Sequence, residues 1–210
     1  MLISYKRLRT VIGFCGMLLP FLLVIPLYLS NGKVLFSISD YYNTQYANIL
    51  TSILCVTGTF LVCYNGYDKV DNLISKIAGV CALCVALFPT TYKPYSATLF
   101  CIPFRPSWFQ EVHVITAIIF FLSLAYMSAF QFTKCDKDTP TERLRVSIYR
   151  ICAIIMVIGL VFVGIATIYH IDYGKLIGES VALIAFGISW LIKGKEFFLK
   201  DETLNHEYYL

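Results

Sequence analysis

The chain has 210 residues, of which 58% are hydrophobic and only 14% charged, and its mean hydropathy is +0.71. Soluble domains carry about 25% charged and under about 50% apolar residues, so this composition excludes a soluble enzyme or binding module. The net charge of +4 is spread over short loops, which speaks against a nucleic-acid surface and makes the basic residues topology signals.

A membrane-spanning helix needs about 20 mostly apolar residues. Six segments qualify, predicting an all-α polytopic membrane protein with one six-helix domain over residues 1–210. The first span, Val11–Leu29, follows Lys6, Arg7 and Arg9. Its apolar run is long for a signal peptide and no small-x-small cleavage site follows, so it is read as a retained helix. The polar stretch Phe36–Leu50, FSISDYYNTQYANIL, then places Asp40 ahead of the second span, Tyr46–Tyr64. There its carboxylate is expected to cap the helix and complement its dipole. The charged, turn-rich loop Asn65–Lys76 leads to the third and shortest span, about Ile77–Tyr92, which ends at Pro89.

The segment Thr90–His113 differs in character. Pro94, Pro103 and Pro106 prevent a continuous helix, while Phe104, Trp108 and Phe109 suit the lipid interface. It is expected to lie against the outer membrane surface as a covering loop. The fourth span, Val112–Phe132, holds His113 in its first turn. A second charged loop, Lys134–Arg145, precedes the fifth span, Ile148–Tyr169, which ends in a turn with His170 and Asp172. The sixth, Leu176–Ile192, carries Glu179 between Gly178 and Ser180. The tail beyond Ile192 is polar and is placed at the inner surface.

Orientation follows from the charges. Of the 17 lysines and arginines, only Lys33, Lys93, Arg105 and Lys175 fall in outer segments if the N-terminus is cytoplasmic. The positive-inside rule therefore predicts cytoplasmic N- and C-termini. No stretch outside the spans is long enough for a second domain.

In this topology Asp40, His113, His170, Asp172 and Glu179 all fall on the outer side. An ionisable group inside a span is costly, about 2.5–3.5 kcal/mol for Asp at the centre on insertion scales, and normally faces the bundle interior or a wet cavity. A shared outer-leaflet pocket explains several of them together. Each also has a plainer reading: Asp40 as a cap, His113 in the headgroup layer, His170 and Asp172 in a solvated turn, Glu179 as a complement to its helix dipole.

Two histidines with carboxylates would suit zinc, but no His-x-x-x-His, His-x-x-Glu-His or Cys/His spacing occurs, and no metal or cofactor is expected. Cys81 and Cys84 form a C-x-x-C. Quinone-linked disulfide oxidases of the DsbB type expose theirs to the oxidising side, whereas this pair falls in the inner half of its helix and lacks an outer partner pair. The cysteines are read as packing residues. Glycines 58, 66, 79, 159, 164, 178 and 187 permit close helix approach. No G-x-S-x-G, Walker or Rossmann motif is present, and no nucleophilic serine stands out.

The elements Ser37–Asp40 (SISD), Ala86–Thr90 (ALFPT) and His113–Phe121 (HVITAIIFF) recur in that order. In this the chain resembles the DRAM/Frag/Sfk-like group of six-helix membrane proteins, which includes bacterial membrane proteins of unknown function. The resemblance covers Phe36–Phe132 and, more loosely, the whole chain. It implies a six-helix fold and a role in handling or organising membrane lipids, and it draws Asp40 and His113 into its motifs.

The function expected from these readings is binding of a lipid headgroup or amphipathic small molecule in an outer-leaflet polar pocket. Asp40, His113 and Glu179 line it, with Arg105 and Trp108 on the covering loop. Membrane lipids are the expected partners, beside an open place for a protein partner or a second copy. The alternative is an intramembrane lipid hydrolase or acyl-transfer enzyme with His113 as general base, oriented by Asp40 or Glu179. A transporter or channel would need a polar track reaching the inner side. A purely structural subunit would need no pocket.

Overall fold

The computed structural model describes residues 5–66, 68–90, 108–134 and 139–194. Their regular structure is helical throughout. Six α-helices follow in order: α1 (Tyr5–Asn31), α2 (Ala47–Cys63), α3 (Lys69–Leu87), α4 (Trp108–Tyr126), α5 (Pro140–Ile168) and α6 (Gly174–Gly194). A 3-10 turn (Ile38–Asn43) lies between α1 and α2, and a π turn (Met127–Gln131) extends α4.

Each of the six apolar segments read from the sequence holds a helix, the third ending at Leu87, before Pro89. Five are long and apolar enough to cross a membrane, and α2, with 17 residues, falls just short of that length. Two helices start well before their apolar runs. The Asp68 side chain accepts from the Asp71 N–H and starts α3 at Lys69, inside the segment expected to be a turn-rich loop. Thr139 does the same for the Glu142 N–H, and Pro140 occupies the first turn of α5. An oxygen at the cap position satisfies a free N–H, and proline fits where no N–H is needed. Such signals govern polar helix starts, which an apolar count passes over.

Each helix packs against its neighbours in the chain, and α6 returns to pack along α1, so the six close into a ring. The centre is aromatic: the fully buried Trp190 lies between Phe60, Tyr64 and Phe132, with ring centroids 5.2–5.6 Å away. Close approach depends on paired glycines. A Cβ on Gly79 would sit 2.7 Å from the Gly58 carbonyl oxygen, and one on Gly178 would sit 2.8 Å from that of Gly159. These contacts bring α2 to α3 and α5 to α6 at backbone distance.

The outer surface of α5 bears Ile151, Ile154, Ile158, Val161, Ile165 and Ile168, all exposed. Their spacing of three and four residues is that of one helix face. An apolar stripe of this length has no place in water. Together with the five long apolar helices it defines a multi-pass helical membrane protein.

Candidate functional site

The sequence SISD folds into a short turn pinned from three sides. The Ser37 side chain accepts from the Ser39 N–H and opens the 3-10 turn. Its hydroxyl donates to the Glu179 carboxylate at 2.8–2.9 Å, and the Ile38 N–H donates to the same carboxylate at 2.6 Å. The Leu176 N–H, in the first turn of α6, donates to the Phe36 carbonyl at 2.9 Å. On the opposite side the Tyr42 hydroxyl donates to the Val85 carbonyl near the end of α3. The Thr90 hydroxyl donates to the Ser39 carbonyl at 3.3 Å.

Against this turn stands His113, in the second turn of α4 and only 2% exposed. Its Nδ1 is 2.8 Å from the Phe88 carbonyl oxygen, and its Nε2 is 2.9 Å from the Ser39 hydroxyl. A carbonyl can only accept, so Nδ1 carries the proton in the neutral ring. Nε2 is then bare and accepts from the Ser39 O–H. The Tyr42 ring packs edge-on to the imidazole at 5.8 Å and fixes its plane.

Ser39 and His113 open onto a cavity of about 590 Å³ between the 3-10 turn and helices α4, α5 and α6. Such volumes are typical of small-molecule sites. Asp40, Thr90, Gln110 and Lys175 line its polar end, and Ala117, Phe121, Leu160 and Ala182 line its apolar part. From Gln110 to Phe121 it follows α4 for about 16 Å at 1.5 Å per residue, close to half the thickness of a hydrocarbon core. Val114, Ile118, Val161 and Ile168 line the cavity yet are exposed, so it opens sideways between α4 and α5, onto the face where lipid lies. Gly164 belongs to its wall, and a Cβ there would meet nothing within 4 Å. A second hollow of about 60 Å³, lined in part by Tyr42, Leu50 and Val85, reaches Ser39 and His113 from within the bundle. That is room for about one or two waters.

The residues singled out in the sequence fare differently. Asp40, His113 and Glu179 are brought together around this cavity. Asp40, however, lies in the first turn of the 3-10 segment, whereas α2 starts only at Ala47 after Tyr46. It does not stand at the start of α2. Glu179 is committed to holding the turn. Trp108 is exposed at the start of α4, packed against Phe88 and Phe109, and does not line the cavity. Arg105 lies outside the described residues. His170 and Asp172 are exposed in the turn between α5 and α6. Cys81 is buried and Cys84 half-buried, both as free thiols.

The residue that sequence reasoning missed is Ser39. It is one serine of two in a polar loop, and nothing in its spacing points to a histidine 74 positions away. The opposite end of the bundle holds a second surprise. Asp71, Arg145, Gln131 and Lys193 are buried. Arg145 pairs with Glu142, Gln131 donates to the Asp71 carbonyl at 2.9 Å, and Lys193 donates to the Phe132 carbonyl at 3.2 Å. Among the described residues no group of three or more histidines, cysteines or carboxylates gathers to hold a metal ion.

No protein family, curated protein or solved structure matches the chain. What the fold defines is a class, that of multi-pass helical membrane proteins with a cavity opening sideways.

Proposed function

We propose that this protein crosses the membrane six times, with both termini cytoplasmic, and binds a lipid in its outer leaflet. The headgroup sits at Asp40, Gln110 and Lys175, and an acyl chain runs down between α4 and α5. The distribution of the four outer basic residues supports the orientation, and the resemblance to the DRAM/Frag/Sfk-like group belongs to the same proposal. The observation that carries the reading is the cavity itself. It is polar at its outer end, apolar below, about one leaflet deep and open toward lipid. Lys175 offers a cation to a phosphate and Asp40 an anion to an amine, so a zwitterionic or anionic headgroup fits.

The test is native mass spectrometry of the protein released from mild detergent, comparing wild type with Gly164→Trp. Gly164 belongs to the cavity wall and a Cβ there meets nothing within 4 Å, so a tryptophan at this position is expected to take up cavity volume. A co-purifying lipid lost about tenfold or more in the variant, the equivalent of roughly 1.4 kcal/mol, is expected. Equal lipid on both proteins would sink the proposal.

A further inference from the structure

We infer that Ser39 and His113 form a nucleophile–base pair that takes an acyl group from an ester-linked lipid bound in the cavity. The inference rests on the lipid-binding reading above and adds a reaction class to it.

Three observations converge. The Ser39 hydroxyl lies 2.9 Å from His113 Nε2, within reach for direct proton transfer. The other ring nitrogen is held at 2.8 Å by the Phe88 carbonyl, which fixes the tautomer that leaves Nε2 free to accept. A hydroxyl, a base, and a third group orienting the base are the parts of an activated nucleophile; here a main-chain carbonyl takes the orienting place usually filled by a carboxylate. Finally, the pair sits at the wall of a cavity that opens to lipid, where the ester linkage of a glycerolipid lies between headgroup and chain.

The reaction balances with the lipid and an acceptor alone. Ser39 Oγ bonds to the ester carbonyl carbon as its proton passes to Nε2. The carbon–oxygen bond to the leaving alcohol breaks, and that oxygen takes the proton from Nε2. The acyl group is then an ester of Ser39. A water, or the hydroxyl of a second lipid, gives its proton to Nε2, bonds to the acyl carbon and displaces Ser39 Oγ, which recovers the proton.

The experiment uses a long-chain alkyl fluorophosphonate on the full chain in nanodiscs, with adducts located by peptide mass spectrometry. Attack by Ser39 releases fluoride and leaves a stable phosphonate ester. In wild type, Ser39 is expected to be labelled in preference to the neighbouring hydroxyls of Ser37 and Thr90, a readout that needs no variant. In His113→Gln, labelling of Ser39 is expected to slow about 100-fold or more, the usual effect of removing a general base. An unlabelled Ser39 in protein that still carries lipid would overturn the pair and leave the binding proposal standing. Absence of both label and lipid would remove both readings. Equal labelling in wild type and in a monodisperse His113→Gln protein would reduce His113 to a packing residue.

Discussion

The Glu179 carboxylate, one turn into α6, lies 2.6 Å from the amide nitrogen of Ile38 and 2.8–2.9 Å from the Ser37 hydroxyl. An ionisable residue inside an apolar helix thus serves as the receptor for an incoming loop. Because Ser39 follows directly, the contact also sets where the Ser39 hydroxyl stands relative to His113.

Glu179→Ala therefore removes the acceptor of two donors at once. Each buried donor left without a partner costs about 1–3 kcal/mol. The variant is expected to lose several degrees of Tm in detergent and, through displacement of Ser39, its fluorophosphonate labelling. Glu179→Gln keeps one acceptor oxygen and should retain more of both. Labelling and Tm unchanged in the alanine variant would show that the loop is held by its other contacts.

Two glycines on neighbouring helices should answer oppositely to the same enlargement. A Cβ on Gly178 would meet Val163 Cγ2 at 2.7 Å and the Gly159 carbonyl oxygen at 2.8 Å, whereas one on Gly164 would meet nothing within 4 Å. Gly178→Leu is expected to destabilise by about 1–3 kcal/mol or more through overpacking. Gly164→Leu should leave Tm unchanged or raised, since leucine favours a helix over glycine by up to about 1 kcal/mol. Thermal melts of the purified variants decide, and the reverse order would contradict the helix packing described here.

At the opposite end Lys134 donates to Asp68 at 2.8 Å and to Asp71 at 2.7 Å, tying the segment after α4 to the start of α3. The hydrogen bond from Lys134, then that from the Asp71 N–H, hold the Asp68 carboxyl below the usual carboxylate range. The two carboxylates in turn hold the Lys134 ammonium above its usual range. The lowered Asp68 contributes stability that is present above its unfolded value of about 3.9 and lost as pH falls through its folded value. The raised Lys134 contributes stability that is present below about 10.4 and lost only as pH rises through its folded value. Wild type should therefore melt above Lys134→Met at neutral pH, with the gap closing in acid and persisting in mild alkali. A gap independent of pH would mean that the variant acts through packing alone.

The helices themselves were legible because apolar runs and charge bias are properties of short windows. α5 shows the limit: its apolar run is readable in the sequence, whereas its first turns from Pro140 are polar and charged and carry no such signal. Asp40 shows another limit. Its polar neighbourhood marked it for the site, but the 3-10 turn placed it away from the start of α2. His113 was legible as an ionisable group near a span, and its partner was not.

Composition and the length of the apolar runs by themselves determined that this is a multi-pass helical protein. Burying apolar length in lipid is a sum over consecutive residues, and a sequence displays that sum directly. Only the tertiary structure decided that Ser39 meets His113, 74 positions away, and that Glu179 meets Ser37 across 142. Hydrogen bonds act over about 3 Å and carry no trace along the chain. Which donors and acceptors come within that distance was settled by how six helices close into a ring.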